Sequence, residues 1–230
     1  MTDDRRNMVV ATVKPWNVAL YQDRFGHDPR WHLITSPDEL TAVKLAKISP
    51  RWVFFPHWSW VVPTDIVDKF ECVCFHMADV PYGRGGSPLQ NLIVRGHRDT
   101  KISALRMVDE LDAGPVYMKS PLNLAGSAQE IFERAAAHIF DMIETIVAEQ
   151  PKPVPQQGEA VVFKRRRPEQ SRLPETGTLE ALHDHIRMMD AETYPKAFLE
   201  LEGFRLEFDR ACLEDERLVG RVVIRARSHG

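Results

Sequence analysis

Along the first half of the chain, short apolar runs alternate with amphipathic stretches. Met8–Val13, Trp31–Ser36, Trp52–Phe55 and Cys72–Met77 are rich in β-branched and aromatic residues at strand length, so the pattern predicts strands there. Between them, Val18–Arg24, Leu40–Ile48 and a stretch from Pro63 to about Phe70 carry helical spacing. Ser36-Pro37-Asp38-Glu39 and Pro63-Thr64-Asp65 read as helix starts, because a first-turn Pro forfeits no intrahelical hydrogen bond and acids suit a helix N-terminus. Ser87–Arg95 follows as helix, then Lys101–Val108 and Val116–Met118 as strands. Ser127-Ala128-Gln129-Glu130 has the spacing of a capping box. It opens a long helix to Glu149, with Ile131, Ala135, His138, Ile139, Met142 and Ile146 along one side.

Strands alternating with helices predict an α/β class: a mostly parallel, Rossmann-like sheet with helices on both faces. In such sheets ligands bind beyond the carboxyl ends of the strands. Pro151, Pro153 and Pro155, followed by Gln156, Gln157 and Gly158, read as a linker. The expected division is therefore a main domain over residues 1–150 and a small α+β subdomain over residues 151–230. In the latter, Ala160–Phe163, Phe198–Phe208 and Leu218–Arg225 read as strands and Leu179–Met189 as a helix.

Composition narrows the classes. Hydrophobic residues at 43% and charged residues at 27% suit a soluble globular chain able to bury a core. Lys and Arg total 30 against 33 Asp and Glu, a net charge of −3, which argues against a nucleic-acid or anionic-membrane partner. Three cysteines, an odd number, speak against a disulfide scaffold and for a reducing compartment. No apolar run approaches the ~20 residues of a membrane span, and Met1–Asn7 lacks the apolar stretch of a signal peptide. The expected location is the cytoplasm, with no membrane partner.

The candidate chemistry gathers in two segments. Cys74-Phe75-His76 closes the fourth strand and runs into Tyr82-Gly83-Arg84-Gly85-Gly86-Ser87. A His at a strand's carboxyl end before a glycine-rich loop stands where α/β sites form, and Arg84 offers a forked cation. The second segment is Asp109-Glu110-Leu111-Asp112-Ala113-Gly114-Pro115. There Asp112 either caps a turn or orients His76 and holds a proton. Cys72, Cys74 and His76 share a strand face, yet neighbours at that spacing stand ~6.6 Å apart, whereas zinc donors lie ~2.0–2.3 Å from the ion. No metal site is expected. Phe55-Pro56-His57-Trp58, with Trp60, is aromatic enough to hold the edge of a flat heterocycle or simply to plug the core. Lys164-Arg165-Arg166-Arg167 reads as a solvated charge run, and His183, His185 and Arg187 as surface residues.

Together, residues 72–96 (CVCFHMADVPYGRGGSPLQNLIVRG) and 100–117 (TKISALRMVDELDAGPVY) resemble the folate-dependent formyltransferases. Those enzymes join a strand ending Asn-x-His, a proline- and glycine-bearing loop, a helix, and a strand leading to a Leu-Asp-x-Gly turn. Lys164–Ser171 and Tyr194–Phe198 look like the segment that follows the catalytic domain in the nucleotide-sugar enzymes of that family. The resemblance implies N10-formyltetrahydrofolate as cosubstrate, a primary amine as acceptor, and no metal. It implies His76 and Asp112 as catalytic residues and puts Cys74 where the family has its Asn. A thiol is a weak donor, and losing a good oxyanion donor costs ~10²–10³ in rate. It further implies a pterin edge on Phe55, Pro56, His57, Trp58, Met107, Asp109 and Leu111. The acceptor would face Tyr82, Gly83, Arg84, Gly85, Gly86, Ser87 and Gln90. The expected acceptor is a nucleotide-linked amino sugar, because the tRNA enzymes of the family carry a larger, basic C-terminal domain. The alternatives are an aminoacyl-tRNA, an amino-acid-derived precursor, and an inactive folate- or nucleotide-binding homologue disabled at Cys74. Relatives pair through C-terminal strands, which makes Leu218–Ile224 a candidate homodimer edge.

Overall fold

A computed structural model describes residues 7–227. Most of the Met1–Asn7 run read above for targeting lies outside them. The described elements are β1 (Asn7–Ala11), α1 (Pro15–Arg24), β2 (Trp31–Ile34), α2 (Ala42–Ile48), β3 (Pro50–Phe55), α3 (Thr64–Val67) and β4 (Cys72–His76). Then come β5 (Tyr82–Gly85), α4 (Pro88–Val94), β6 (Asp99–Arg106), β7 (Val116–Asn123), α5 (Ala128–Glu149) and β8 (Val161–Phe163). The chain ends with α6 (Leu179–Arg187), β9 (Ala197–Glu200), β10 (Phe204–Glu214) and β11 (Arg217–Ala226). Two compact units share the chain: residues 1–84, 101–122 and 133–162 form one, and 85–100, 123–132 and 163–230 the other.

In the first unit a six-stranded sheet has the order β2-β1-β3-β4-β6-β7. β1 runs parallel to β2 and β3, and β3 parallel to β4. β6 runs antiparallel to β4, so the sheet is mixed at that side, a direction that alternation alone does not encode. Period-two patterning sorts the side chains. Val9, Ala11, Val53, Phe55 and Cys72 point to one face, where Leu40, Leu45, Val62 and Ile66 bury them. On the other face Phe54 stacks on Trp31 and Trp52 and tilts against Phe75, while Phe25 stacks on Phe140 of α5. The expected helix from Ser36 is split in two. Ser36 caps a short 3-10 turn over Pro37–Glu39, and Thr41 Oγ1 then accepts from Lys44 N at 3.1 Å to start α2 afresh.

The second unit holds α4, α6 and the sheet β11-β10-β9. The stretch expected as one strand, Phe198–Phe208, breaks at Leu201-Glu202-Gly203, where Leu201 N donates to Phe204 O at 2.8 Å. Arg187, expected on the surface, is buried; its guanidinium donates to the carbonyls of Leu124 (2.6 Å) and Gly126 (2.8 Å) and pairs with Asp184. The capping box forms as the spacing requires: Ser127 N donates to Glu130 Oε2 at 2.8 Å and Glu130 N to Ser127 Oγ at 3.3 Å. Removing one such cap costs about 1 kcal/mol, so Ser127→Ala is expected to lower the unfolding free energy by that amount, read as a lower urea midpoint with an unchanged slope.

Candidate functional site

His76 is the last residue of β4, paired with Ser103 of β6, and is almost fully buried. The segment after it is pinned in several places. Ser103 Oγ donates to Ala78 O at 2.7 Å, and Lys101 and Lys119 both pair with Asp79. Burial would raise the Asp79 carboxyl, but the two lysines outweigh it and hold it below the usual range. The chain then turns at Gly83, whose φ of +84° favours glycine. This brings Gly83 O within 2.7 Å of His76 Nε2. A carbonyl only accepts, so Nε2 carries a hydrogen in this contact. On the other side of the ring, Nδ1 lies 3.4 Å from Asp112 Oδ2, with side-chain exposures of 8% and 10%. That approach is attractive only when a proton lies between the two atoms. Imidazole and carboxylate, far apart in sequence, thus meet as a pair shielded from solvent.

The loop after β6 makes the pair possible. Arg106 N donates to Pro115 O and Met107 N to Cys72 O, both at 2.9 Å, which folds residues 107–115 back over the sheet face that carries Cys74. Asp112 adopts φ +54°, a conformation that Asp and Asn tolerate better than most side chains. Gly114 packs so closely that an added Cβ would stand 1.8 Å from Arg106 O.

Cys74 lies on the same strand face as His76 and is half-buried. Burial, then the nearby Asp112 charge, pushes its thiol far above the usual range, so it is a neutral S–H donor. Burial likewise raises Cys72 to about 12. Phe55, Trp58, Cys74 and Met107 belong to one apolar cluster. Trp60 meets Trp58 edge-on at 5.3 Å and is 49% exposed, and Val61, Val108 and Leu111, in the same two loops as Trp58 and Met107, are 94%, 41% and 67% exposed. The Trp58 indole N–H is shielded from solvent and has no acceptor among the described residues. A buried donor beside bare apolar side chains suits a flat heterocycle with ring acceptors. Asp109 lies in the same loop.

Pro56 and His57 face the start of α1. Asn17 Nδ2 donates to Pro56 O at 3.1 Å and Thr12 Oγ1 at 2.9 Å, and lies 3.2 Å from His57 Nδ1. Burial first, and then the Lys14 charge, lowers the His57 imidazole to about 4. The unfolded chain takes up that proton near ~6.5. The neutral ring therefore contributes stability that is fully present above ~6.5 and lost as pH falls toward 4, up to about 3 kcal/mol. His57 has φ +50°, so Asn is the replacement that keeps the backbone. His57→Asn is expected to flatten the loss of stability between pH 6.5 and 4.5, measured by urea unfolding at both values.

Arg84 is tied within the first unit: its Nε donates to Gln156 Oε1 at 3.0 Å, and its Nη1 lies 3.5 Å from Glu110. Tyr82 is half-buried in β5. The remaining loop residues belong to the second unit. Gly86 N donates to Phe163 O at 3.0 Å, and a Cβ on Gly86 would meet Arg165 Cα at 2.5 Å. This glycine thus admits the chain's own backbone. Gly85 has φ +98°. Ser87 Oγ accepts from Arg166 N at 3.1 Å and Tyr194 OH at 3.3 Å. Gln90 is buried and donates to Met188 O at 3.0 Å. Both side chains serve the packing of that unit. Among the described residues, no group of three or more His, Cys, Asp or Glu could hold a metal ion, and no helix is long and apolar enough to cross a membrane.

Sequence reasoning missed Gln156, which reads as linker. Val116 and Val154 exchange two backbone hydrogen bonds of 2.8 Å, so this stretch is strapped to the start of β7. The alternation of Pro with Lys152 and Val154 carried no signal for that pairing.

A family model described as methionyl-tRNA formyltransferase, C-terminal domain, matches residues 168–225. A methionyl-tRNA formyltransferase of Streptococcus pyogenes serotype M6 is 29% identical over 175 residues, covering 72% of this chain and 56% of that protein. The chain thus spans little more than half the length of such curated relatives. A solved structure titled methionyl-tRNA formyltransferase from Clostridium thermocellum is 44% identical, with a TM-score of 0.93, covering 96% of this chain and all (100%) of that one. A likely sugar N-formyltransferase from Mycobacterium tuberculosis is 19% identical with a TM-score of 0.65, covering 84% of this chain and 91% of that one, a likeness of fold alone.

Proposed function

We propose that this chain, which belongs to the folate-dependent formyltransferase family, transfers a formyl group from N10-formyltetrahydrofolate to the amine of an aminoacyl-tRNA, methionyl-tRNA first among them. The observation that carries the reaction class is the buried His76–Asp112 pair at the end of β4. The 44% identity to a chain titled methionyl-tRNA formyltransferase, over its whole length, supports the acceptor. The expected nucleotide-linked amino sugar loses its place, since the sugar-enzyme neighbour shares only 19% identity. The net charge of −3 does not oppose this acceptor, because it is a sum and the chain carries the local basic run Lys164–Arg167.

The bound folate would supply an activated formyl group on nitrogen. Trp58, Met107, Val108 and Leu111 would hold its ring through apolar contact and the free indole N–H. His76 Nε2–H, released from Gly83 O, would donate to the formyl oxygen as negative charge grows there. Cys74 adds a second, weaker S–H donor. Asp112 would orient the ring through Nδ1; as the amine attacks the formyl carbon, its proton would pass by way of the His76–Asp112 pair to N10 of the folate, whose bond to the formyl carbon breaks as tetrahydrofolate leaves. Such proton handling by a positioned pair contributes about 10²–10⁴ in rate.

The test is a product mass. With formyl donor, methionyl-tRNA should gain one formyl group, and nucleotide-linked amino sugars should not. Asp112→Asn keeps the left-handed backbone and removes the charge, and should lower kcat by about 10²–10³. A wild-type rate in Asp112→Asn would reject the assigned pair, and formylation of the sugar alone would reject the acceptor.

A further inference from the structure

We propose that Gln156 is a positioning residue for Asp112: one half-buried amide clamps the carbonyls on either side of Ala113 and locks them to Arg84. Gln156 Nε2 donates to Asp112 O and to Gly114 O, both at 2.8 Å, while its Oε1 accepts from Arg84 Nε at 3.0 Å. The backbone there belongs to no helix or strand. Asp112 stands at φ +54°, and the turn bond Ala113 N to Glu110 O is long at 3.2 Å. The paired bonds between Val116 and Val154 bring Gln156 to the loop from a segment far along the chain. One side chain thereby connects three segments: the loop that carries Asp112, the strand end that carries Arg84, and the stretch after α5. The Asp112–His76 spacing of 3.4 Å is near the limit of useful contact, so a small loop displacement separates the pair. The orientation of the amide is fixed by chemistry, because two carbonyls demand the NH₂ end and a guanidinium demands the oxygen. This inference rests on the reading of His76 and Asp112 as the reacting pair.

Two replacements separate the roles of the amide. Gln156→Met keeps the length and removes every bond. Gln156→Glu keeps a partner for Arg84 and turns the donor into an acceptor facing two carbonyls. Both should lower kcat, by about 10²-fold for a displacement near 1 Å, with KM for donor and acceptor changed less than about twofold. Both should also move the ring Hε1 resonance of His76 in the ligand-free protein, assigned by its loss in His76→Asn. Gln157→Met, at an exposed neighbour, is the control and should move neither. If Gln156→Glu behaves as wild type, or if the His76 resonance stays in place in both variants, the clamp is rejected. The failures are distinguishable: a wild-type rate in Asp112→Asn sinks the catalytic pair itself, whereas a slow Asp112→Asn beside a fast Gln156→Met sinks only the clamp.

Discussion

His76→Asn is expected to reduce formyl transfer by about 10³–10⁴, the largest effect of any single change considered, while the melting temperature moves little. The imidazole does three things that no amide does together. It donates from Nε2 toward Gly83 O, it meets Asp112 through Nδ1, and it can take on a positive charge between them. Asn can replace one hydrogen bond and cannot accept the proton. The stability cost is that of a single exchanged hydrogen bond, about 1 kcal/mol, because the β4 backbone is held by β3 and β6 regardless of this side chain. Single-turnover measurements with saturating donor isolate the chemical step. A rate within threefold of wild type would show that the ring does not serve the reaction.

Gly114→Ala should be nearly as severe by another route. Its Cβ would lie 1.8 Å from Arg106 O and 3.0 Å from Arg106 C, both backbone atoms that cannot swing aside. The loop must move as a body, and Asp112 moves with it. Overpacking of this kind costs about 1–3 kcal/mol or more, and loss of alignment at the reacting pair lowers kcat by about 10²-fold. Both readouts should fall together in Gly114→Ala, while Asp112→Asn should lose rate alone. A folded, fully active Gly114→Ala would mean that the loop has a second productive conformation.

The strands, the long helix and the family relationship were legible because each has a local signature. β4 is a compact apolar run ending in His, Ser127-Ala128-Gln129-Glu130 caps α5, and the Leu-Asp-x-Gly turn marks the second half of the site. What stayed hidden depends on distance. The reversed direction of β6 is decided by which partner its backbone meets. Tyr82–Gly85 reads as a loop from its glycines, yet it pairs with β8, whose residues come much later. Arg187 looks solvent-facing by type and is buried because carbonyls from Leu124 and Gly126 converge on it. Gln156 shares this cause: a proline-punctuated polar stretch has no periodicity to betray what its side chains will reach.

The interleaving of the two units has a consequence for anyone who would graft parts of this chain onto a relative. A cut in the proline run after Glu149 would strip away Val154 and Gln156, residues that embrace the carboxylate's own turn. An exchange of the C-terminal portion alone would leave behind residues 85–100 and 123–132, with which it shares a core. Chimeras that respect the spatial grouping must therefore carry three separate stretches at once.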